Sequence, residues 1–266
     1  MRSSVCAGWL LVSAMAAEAS CTRPIEVPMS PIGLSVTFDG ERAGGIYPTL
    51  LRELAATTGC EFLIKRVPRA RLQKMFESSQ ADLLLPASAS PSRDGDGEFV
   101  PLIQVRASLL TLTRSKALPQ SLAELIAQPG FKLAVVRGFT FGAEYDRMVA
   151  TLREQKRLIE EPDAVGVARA LRMGLAHGTV MAASIFIGTL VSDATLTPLI
   201  KQVSVDPLEG LGWAESGVYL SRHSLAEADR RTLRLAFAQM AKTGRLWQLF
   251  VDMYPPGSLG VSIRPY

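Results

Sequence analysis

Apolar residues recur along the 266-residue chain with two different spacings. Short apolar runs at residues 83–85, 133–136 and 180–183 are typical of buried strands. Apolar residues three and four positions apart, at residues 72–76 and 233–240, predict amphipathic helices. Because segments of these two kinds alternate, the sequence predicts an α/β protein with mixed sheets.

Capping residues and turn residues divide this pattern into elements. Ser121 and Ser224 are each followed three positions later by a glutamate, which predicts a capping box at the start of a helix, and Asp163 is a third predicted N-cap. Glycines that follow the periodic stretches predict helix ends, at Gly59, Gly174 and Gly244. Further strands are predicted at residues 25–27, 34–38, 61–67, 108–113, 200–205 and 217–220.

The N-terminal residues have a different composition from the rest of the chain. An apolar run over residues 5–17 leads into Ala17-Glu18-Ala19, a pattern typical of a signal-peptidase site. We therefore predict a signal peptide over residues 1–19 and a periplasmic protein. The run is shorter than the roughly 20 residues that a membrane span requires. A lipid anchor on Cys21 is the alternative, but Glu18 stands where lipoprotein signals carry an aliphatic residue.

Removal of that segment changes the cysteine count. Cys6 is lost with it, and Cys21 and Cys60 are left as an even pair in an exported protein. Such a pair predicts a disulfide that ties the new N-terminus to the end of the first helix. Two unrelated thiols are the alternative.

The charge of the chain is mild. The formal net charge is +4, and the basic residues are scattered rather than clustered. A nucleic-acid-binding surface needs a basic patch or stripe, so we expect no nucleic-acid partner.

Residues 81–93 contain the main candidate for a binding site. The buried strand at 83–85 ends at a proline and is followed by Ser88, Ser90 and Ser92 at alternate positions, with Arg93 behind them. Hydroxyls can donate to a carboxylate, and a guanidinium can bind both of its oxygens. The pattern indicates an anion site. An exposed serine-proline turn with a solvated arginine is the alternative.

A second candidate lies in the loop at residues 137–142. It joins a predicted strand to a predicted helix and contains Gly138, Phe139 and Thr140. A glycine loop ahead of a helix N-terminus can bind an anion. Loops of this kind are also common connectors without a ligand.

The sequence resembles the family 3 extracellular solute-binding proteins of bacteria, whose amino-acid-type members serve ABC transporters. The resemblance covers most of the chain after residue 19 and consists of diffuse positions, of which the serine loop that ends at Arg93 is the most specific. The other positions that carry it are residues 45–54, Gly59, 80–82, 121–125, 133–140, 170–178, 217–220, 233–237, Gly244 and Tyr254.

This resemblance implies the type II fold of periplasmic binding proteins, with two lobes joined by two hinge strands. The first lobe would comprise residues 20–111 and 218–266, and the second lobe residues 112–217. The hinges would lie near residues 109–113 and 216–220. A ligand would bind between the lobes, which would close around it.

The resemblance also implies roles for individual residues. Arg93 would bind a ligand carboxylate, Ser88 or Ser90 would donate to it, and the loop of Gly138, Phe139 and Thr140 would approach from the second lobe. Arg69 lies near the position where the family often has an aromatic residue that lines the cleft. Tyr47 is a further lining candidate, with packing at the start of a helix as its alternative role.

One position departs from the family pattern. The second-lobe strand that commonly leads to an aspartate for the ligand's amino group reads TVMAASIF over residues 179–186, with Ser184 and no acid. A buried ammonium without a carboxylate partner is costly, so an ordinary α-amino acid is in doubt as ligand. Glu215 or Asp193 could substitute from elsewhere. Otherwise the ligand is an acid or a small polar compound without an ammonium group.

The expected function is therefore the capture of a small polar, carboxylate-bearing solute for an ABC transporter. The expected protein is monomeric, binds no metal or cofactor, and meets the transporter's membrane subunits. A periplasmic sensory adaptor and a lyase or dehydratase on the same fold are the alternatives. His177 and His223 are the only histidines and lie in turn-like segments, so catalysis would fall to Glu215 or Asp82.

Overall fold

The computed structural model describes residues 21–112, 118–254 and 259–266. The predicted signal peptide lies outside these residues. None of the helices in the described ranges is both long and apolar enough to cross a membrane.

Helices and strands alternate, as the apolar spacing predicts. The strands are β1 (Ile25–Met29), β2 (Thr37–Asp39), β3 (Arg42–Gly44), β4 (Phe62–Arg66), β5 (Leu83–Ser88), β6 (Gly97–Thr111), β7 (Leu133–Val136), β8 (Leu158–Glu161), β9 (Thr179–Ala182), β10 (Ser204–Asp206), β11 (Trp213–Ser221) and β12 (Ile263–Pro265). The α-helices are α1 (Ile46–Thr58), α2 (Arg69–Glu77), α3 (Pro91–Asp94), α4 (Leu122–Ala127), α5 (Ala143–Glu154), α6 (Ala164–Arg172), α7 (Ala183–Ser192), α8 (Glu227–Lys242) and α9 (Arg245–Met253), and a 3-10 helix spans Thr197–Gln202.

The long strand β6 connects the two halves of the molecule. Its residues 97–106 pair antiparallel with β11, whereas residues 107–111 pair with β9 and β10. Strand β5 pairs with β11 on the other side. Two parallel pairs, β1 with β4 and β7 with β8, and the β2–β3 hairpin complete the strand pairing among the described residues.

The buried side chains follow the same division. One large cluster joins β1, α1, α8 and α9 to the first part of β6, up to Val105. Two others join β7, β9, α5, α6 and α7 to the second part, from Ala107 onward. These are the cores of two lobes. The strand partners change after Arg106, and the lobe boundaries at residues 111/112 and 217/218 stay predictions.

Gly217 allows β11 to run close to β6. The register of β11 shifts at this residue against β6. A Cβ atom built on Gly217 would lie 2.0 Å from the carbonyl oxygen of Val100. Since no side chain fits at that distance, only glycine permits this approach of the two backbones.

Three contacts attach the first described residues to the first lobe. Cys21 forms the predicted disulfide with Cys60, with a Cα–Cα distance of 4.8 Å. The backbone amide and hydroxyl of Thr22 donate to Asp229, and Arg23 donates to both carboxylate oxygens of Asp82 at 2.7 Å. The segment before β1 is therefore fixed covalently and by two carboxylates.

The last described residues form a strand that lies beside the crossover. Strand β12 pairs with residues 103–105 of β6, and the Arg264 guanidinium lies 4.3 Å from the ring centroid of Trp213. Ser262 accepts a hydrogen bond from the backbone amide of Ser184, and the Tyr254 hydroxyl donates to the Ser184 carbonyl at 2.8 Å. The C-terminal segment thus joins first-lobe elements to the start of α7.

Some local predictions are confirmed and others are wrong. Ser121 and Asp163 are N-caps that accept hydrogen bonds from Glu124 and Gly166 respectively. Ser224 is not a cap, because its hydroxyl donates instead to Asp82 at 2.6 Å and α8 begins after Ala226.

Three strand predictions need correction. The strand predicted at 108–113 is the end of the 15-residue β6. The strand predicted at 200–205 is a 3-10 helix followed by a strand of three residues. The strand predicted at 34–38 is shorter and starts at Thr37, because the preceding backbone turns back to bridge Ile32 with Val36.

Two buried hydroxyls in the second lobe have no hydrogen-bond partner among the described residues, and one of them gives a stability test. The Oγ1 atom of Thr179 in β9 is buried without a hydrogen bond. We expect Thr179→Val to raise the free energy of unfolding by about 1 kcal/mol, because it removes an unpaired polar atom and keeps the shape. The matched control is Thr189→Val, whose hydroxyl donates to Ile185 at 2.8 Å. This change should lower stability slightly. Urea unfolding of both variants checks the difference, and equal effects would contradict it.

Candidate functional site

A cavity of about 50 Å³ lies between the two lobes, beside β6 and β11. Both lobes and the C-terminal strand contribute to its wall. The lining residues are Ile32, Ser35, Tyr47, Arg69, Pro86, Ala87, Ser88, Ile103, Val105, Phe139, Thr140, Phe141, Ala182, Ser184, Ile185, Ser216, Phe250 and Ile263.

The structure brings most of the sequence candidates to this cavity. The candidates that line it are Tyr47, Arg69, Ser88, Phe139, Thr140 and Ser184. Ser90, Arg93 and Gly138 are close in sequence to lining residues but do not themselves line it. The two loops that the sequence singles out therefore meet across the cleft.

Arg69 is the cationic side chain in the wall. It is the first residue of α2, and burial lowers the pKa of its guanidinium to about 10, with the positive charge of Arg93 as a second cause. Its Nη1 lies 3.4 Å from the Pro86 carbonyl oxygen, which is long for a hydrogen bond. The guanidinium forms no ion pair with a described carboxylate. At neutral pH it is a partly desolvated cation without a counterion.

Arg93 is buried beside this wall and holds the serine loop in place. Its Nε donates to Gln73 at 2.7 Å and its Nη1 donates to the Ser88 carbonyl at 2.9 Å. Burial lowers the pKa of Arg93. The charges of Tyr219, Asp146 and Glu77 raise it, but their effect is smaller than that of burial. Arg93 thus fixes the backbone at Ser88, whose side chain does line the cavity.

The loop at 137–142 closes the cavity from the second lobe. The Ser88 hydroxyl donates to the Thr140 carbonyl at 3.1 Å, and the Arg69 guanidinium lies 5.3 Å from the ring centroid of Phe139. Gly138 has a φ of 84°, which favours glycine, and a Cβ there would be 3.5 Å from the Cα of Ala70. Glycine therefore lets this loop turn toward the start of α2.

The hydroxyls of the wall fall into two groups. Those of Ser88 and Thr140 are occupied, the second by Asp146 at 2.9 Å. The Tyr47 hydroxyl is also occupied, by a hydrogen bond with Ser216. This bond lowers the pKa of Tyr47, but burial has the larger effect and raises it. In the described part of the chain, the hydroxyls of Ser35 and Ser184 make no side-chain hydrogen bond, although both residues are buried. These two are available to a ligand.

Acidic side chains are missing from the described wall of this cavity. Glu215 accepts a hydrogen bond from Tyr266, and its charge raises the pKa of that phenol. Asp193 accepts hydrogen bonds from Thr195 and lines a different cavity of about 830 Å³. Neither acid substitutes for the aspartate that the sequence lacks in residues 179–186.

The remaining candidates for catalysis lie elsewhere and already have partners. Asp82 is outside the wall; burial acts to raise its pKa, but hydrogen bonds from Arg23, Ser224 and the Glu26 amide outweigh it and lower the pKa. His177 and His223 are exposed and also lie outside the wall.

Several wall residues carry no signal in the sequence. Ser35 lies in an irregular loop, Ser216 within a strand, and Phe250 on the buried face of a helix. Ile263 comes from the short C-terminal strand, whose partner in β6 is about 160 residues earlier. These positions reach the cavity only through long-range strand pairing.

The unpaired state of Arg69 leads to a test that needs no ligand. We expect Arg69→Met to raise the free energy of unfolding by roughly 1 kcal/mol, because it removes a desolvated charge that has no counterion. The control is Arg157→Met. Arg157 donates to the carbonyls of Phe131, Ile126 and Leu125, so its loss should cost about 2 kcal/mol. Chemical unfolding measures both, and a destabilised Arg69→Met variant would contradict the interpretation.

Comparison with known proteins identifies the fold. No family model matches the sequence, and no relative is found among curated proteins. Among solved structures, a mutant of the arginine-binding protein ArgBP from T. maritima has a TM-score of 0.69 at 14% identity, over 86% of this chain and 93% of that chain. The amino acid ABC transporter substrate-binding protein AbpA from Streptococcus pneumoniae, bound to L-arginine, has a TM-score of 0.67 at 16% identity. The match covers 86% of this chain and 93% of that chain.

A third similar structure is a histidine kinase sensor domain with similarity to periplasmic binding proteins. Its TM-score is 0.67 at 18% identity, and the match covers 86% of this chain and 95% of that chain. Identities this low establish the fold alone. The chain therefore has the two-lobed α/β fold of periplasmic binding proteins, as the sequence predicts.

Proposed function

We propose that this protein is a solute-binding protein that captures a small carboxylate-bearing solute between its lobes. The observation that carries the proposal is Arg69, a guanidinium in the wall of the interlobe cavity that has no carboxylate partner among the described residues. A desolvated cation without a counterion favours an anionic ligand, and a guanidinium can bind both oxygens of a carboxylate.

The side chains that line the cavity are better suited to ligand binding than to catalysis. The cavity offers hydroxyls, apolar side chains and one guanidinium. Its described wall has no carboxylate or histidine to act as a general acid or base, and burial raises the pKa of the Tyr47 phenol further above neutral pH. A lyase or dehydratase would need such a group within reach of the substrate.

The proposed cellular role rests on the expected export and on the solved structures of similar fold. We place the protein in the periplasm, where it would act as a monomer and deliver its solute to the membrane subunits of an ABC transporter. AbpA is a transporter component of this fold. A sensory role is the second candidate, favoured by the similar sensor domain.

Calorimetric titration tests the binding site. A thermal-shift screen of short carboxylates against the exported form identifies a ligand, which is then titrated into Arg69→Ala and Arg69→Lys. We expect Arg69→Ala to cost about 2 to 5 kcal/mol of binding, because a buried carboxylate loses its partner, and Arg69→Lys to recover only part of it.

Arg93→Ala separates the two arginines. If Arg93 acts through the Ser88 loop, this variant should lose stability and bind more weakly. If Arg93 is the carboxylate clamp that the family resemblance implies, binding should fall as far as in Arg69→Ala with the melting temperature unchanged. Wild-type affinity in Arg69→Ala, or a screen in which no carboxylate raises the melting temperature, would refute the proposed site.

Closure of the lobes is a separate expectation. Contacts such as the Ser88–Thr140 hydrogen bond cross the cleft, so the ligand-bound protein should be compact and the free protein more open. Small-angle X-ray scattering should show a smaller radius of gyration at saturating ligand. An unchanged radius would argue against hinge closure.

A further inference from the structure

We propose that the ligand of this cavity is a short carboxylate that carries no ammonium group, and that its second polar group is uncharged. This inference rests on the proposed function, since it concerns the solute that Arg69 would bind. It separates the protein's ligand from α-amino acids.

The charges around the cavity favour such a ligand. Arg69 is in the wall, and Arg93 lies near enough for its charge to act on Arg69. The N-terminus of α7 adds a partial positive charge, because Ala183 and Ser184 form its first turn. No described acid in the wall opposes these three groups. A carboxylate is stabilised here, whereas an ammonium would be buried without a counterion beside positive charges.

The free hydroxyls fit an uncharged second group. Ser35 in the first lobe and Ser184 in the second lobe line the cavity without side-chain partners in the described structure. A hydroxyl both donates and accepts, so it can bind a keto oxygen or another hydroxyl. One residue belongs to the first lobe and the other to the second, so a ligand that bonds to both would connect the two lobes.

The size of the cavity limits the ligand to a few heavy atoms. Its volume of about 50 Å³ is well below the roughly 150 Å³ of an apolar cavity that accepts benzene. Much of the remaining wall is apolar, with Ile32, Val105, Phe141 and Ile185 among its members. A carbon skeleton of two to four atoms, on the order of a short aliphatic acid, matches this space.

Ser184 determines the specificity in this arrangement. Its amide donates to Ser262 and its carbonyl accepts from Tyr254, so its backbone is fixed from both sides. Only the side chain is left to meet the ligand. Ser184 is the second residue of α7, which follows directly on the strand TVMA, and it lies where a carboxylate would be needed for an ammonium.

Four acids with the same three-carbon skeleton test the proposal: propionate, lactate, pyruvate and alanine. They differ only at the second carbon, which carries hydrogen, hydroxyl, keto or ammonium. Isothermal titration of the exported wild-type protein measures each dissociation constant. We expect the tightest of the first three to bind at least about tenfold more tightly than alanine, because alanine buries an unpaired charge.

The possible results distinguish this inference from the proposed function. If alanine binds within tenfold of the best of the other three, and Arg69→Ala abolishes that binding, the proposed function stands and the inference is overturned. If none of the four acids binds, both are overturned for this class of ligand. A preference of tenfold or more for an acid without the ammonium group supports both.

A variant provides the second test. Ser184→Asp places a carboxylate in the wall, so the affinity for alanine relative to propionate should rise at least about tenfold. The control is Ala150→Asp, which adds the same charge at an exposed position of α5. Melting curves establish that each variant is folded. If the affinity for alanine relative to propionate is unchanged in folded Ser184→Asp, the role of Ser184 is overturned. If Ala150→Asp changes this ratio equally, the effect comes from the added charge at any position, and the role of Ser184 is overturned as well.

Discussion

The pairing of β6 with two different sets of strands is the constraint on which this molecule depends. One continuous strand belongs to both lobes, so neither lobe can form its sheet without fixing part of the other's. The cavity lies beside the point where the partners change, and its wall includes Ile103 and Val105 from β6 itself. The cavity is therefore a consequence of how the two halves are joined, and its shape depends on the angle between them.

Electrostatics would give the proposed site its selectivity. The wall carries a guanidinium that has no carboxylate partner among the described residues, which is costly in the free protein and would become favourable if an anion entered. The hydroxyls of the wall differ in the same way. Those of Ser88 and Thr140 form hydrogen bonds within the protein, whereas those of Ser35 and Ser184 have no side-chain partner among the described residues. On this proposal, the same small group of residues affects both stability and ligand choice.

The sequence predicts features that depend on a few neighbouring residues and misses those that depend on distant ones. The cap at Ser121 is encoded within four residues and is confirmed, whereas Ser224 has the same local pattern but meets Asp82, which lies 142 residues away. The alternation of strands and helices gives the fold class for the same local reason. Which of two arginines lines the cavity depends on packing: a Gln73 side chain and the Ser88 carbonyl bind Arg93, whereas Arg69 has only a long contact with the Pro86 carbonyl and a ring contact with Phe139. No spacing along the chain encodes that difference.

The contact between Arg264 and Trp213 gives the molecule an optical property of its own. Trp213 pairs with Arg106 at the end of the first-lobe part of β6, and the guanidinium of the C-terminal strand lies over its ring. Indole emission depends on a charge held this close to the ring, so the emission of Trp213 depends on the position of the C-terminal strand beside it. Trp247, the other tryptophan in the described ranges, packs against the first-lobe core on α9 and serves as an internal reference. The unmodified chain thus carries a fluorescent probe of how its C-terminal strand is attached.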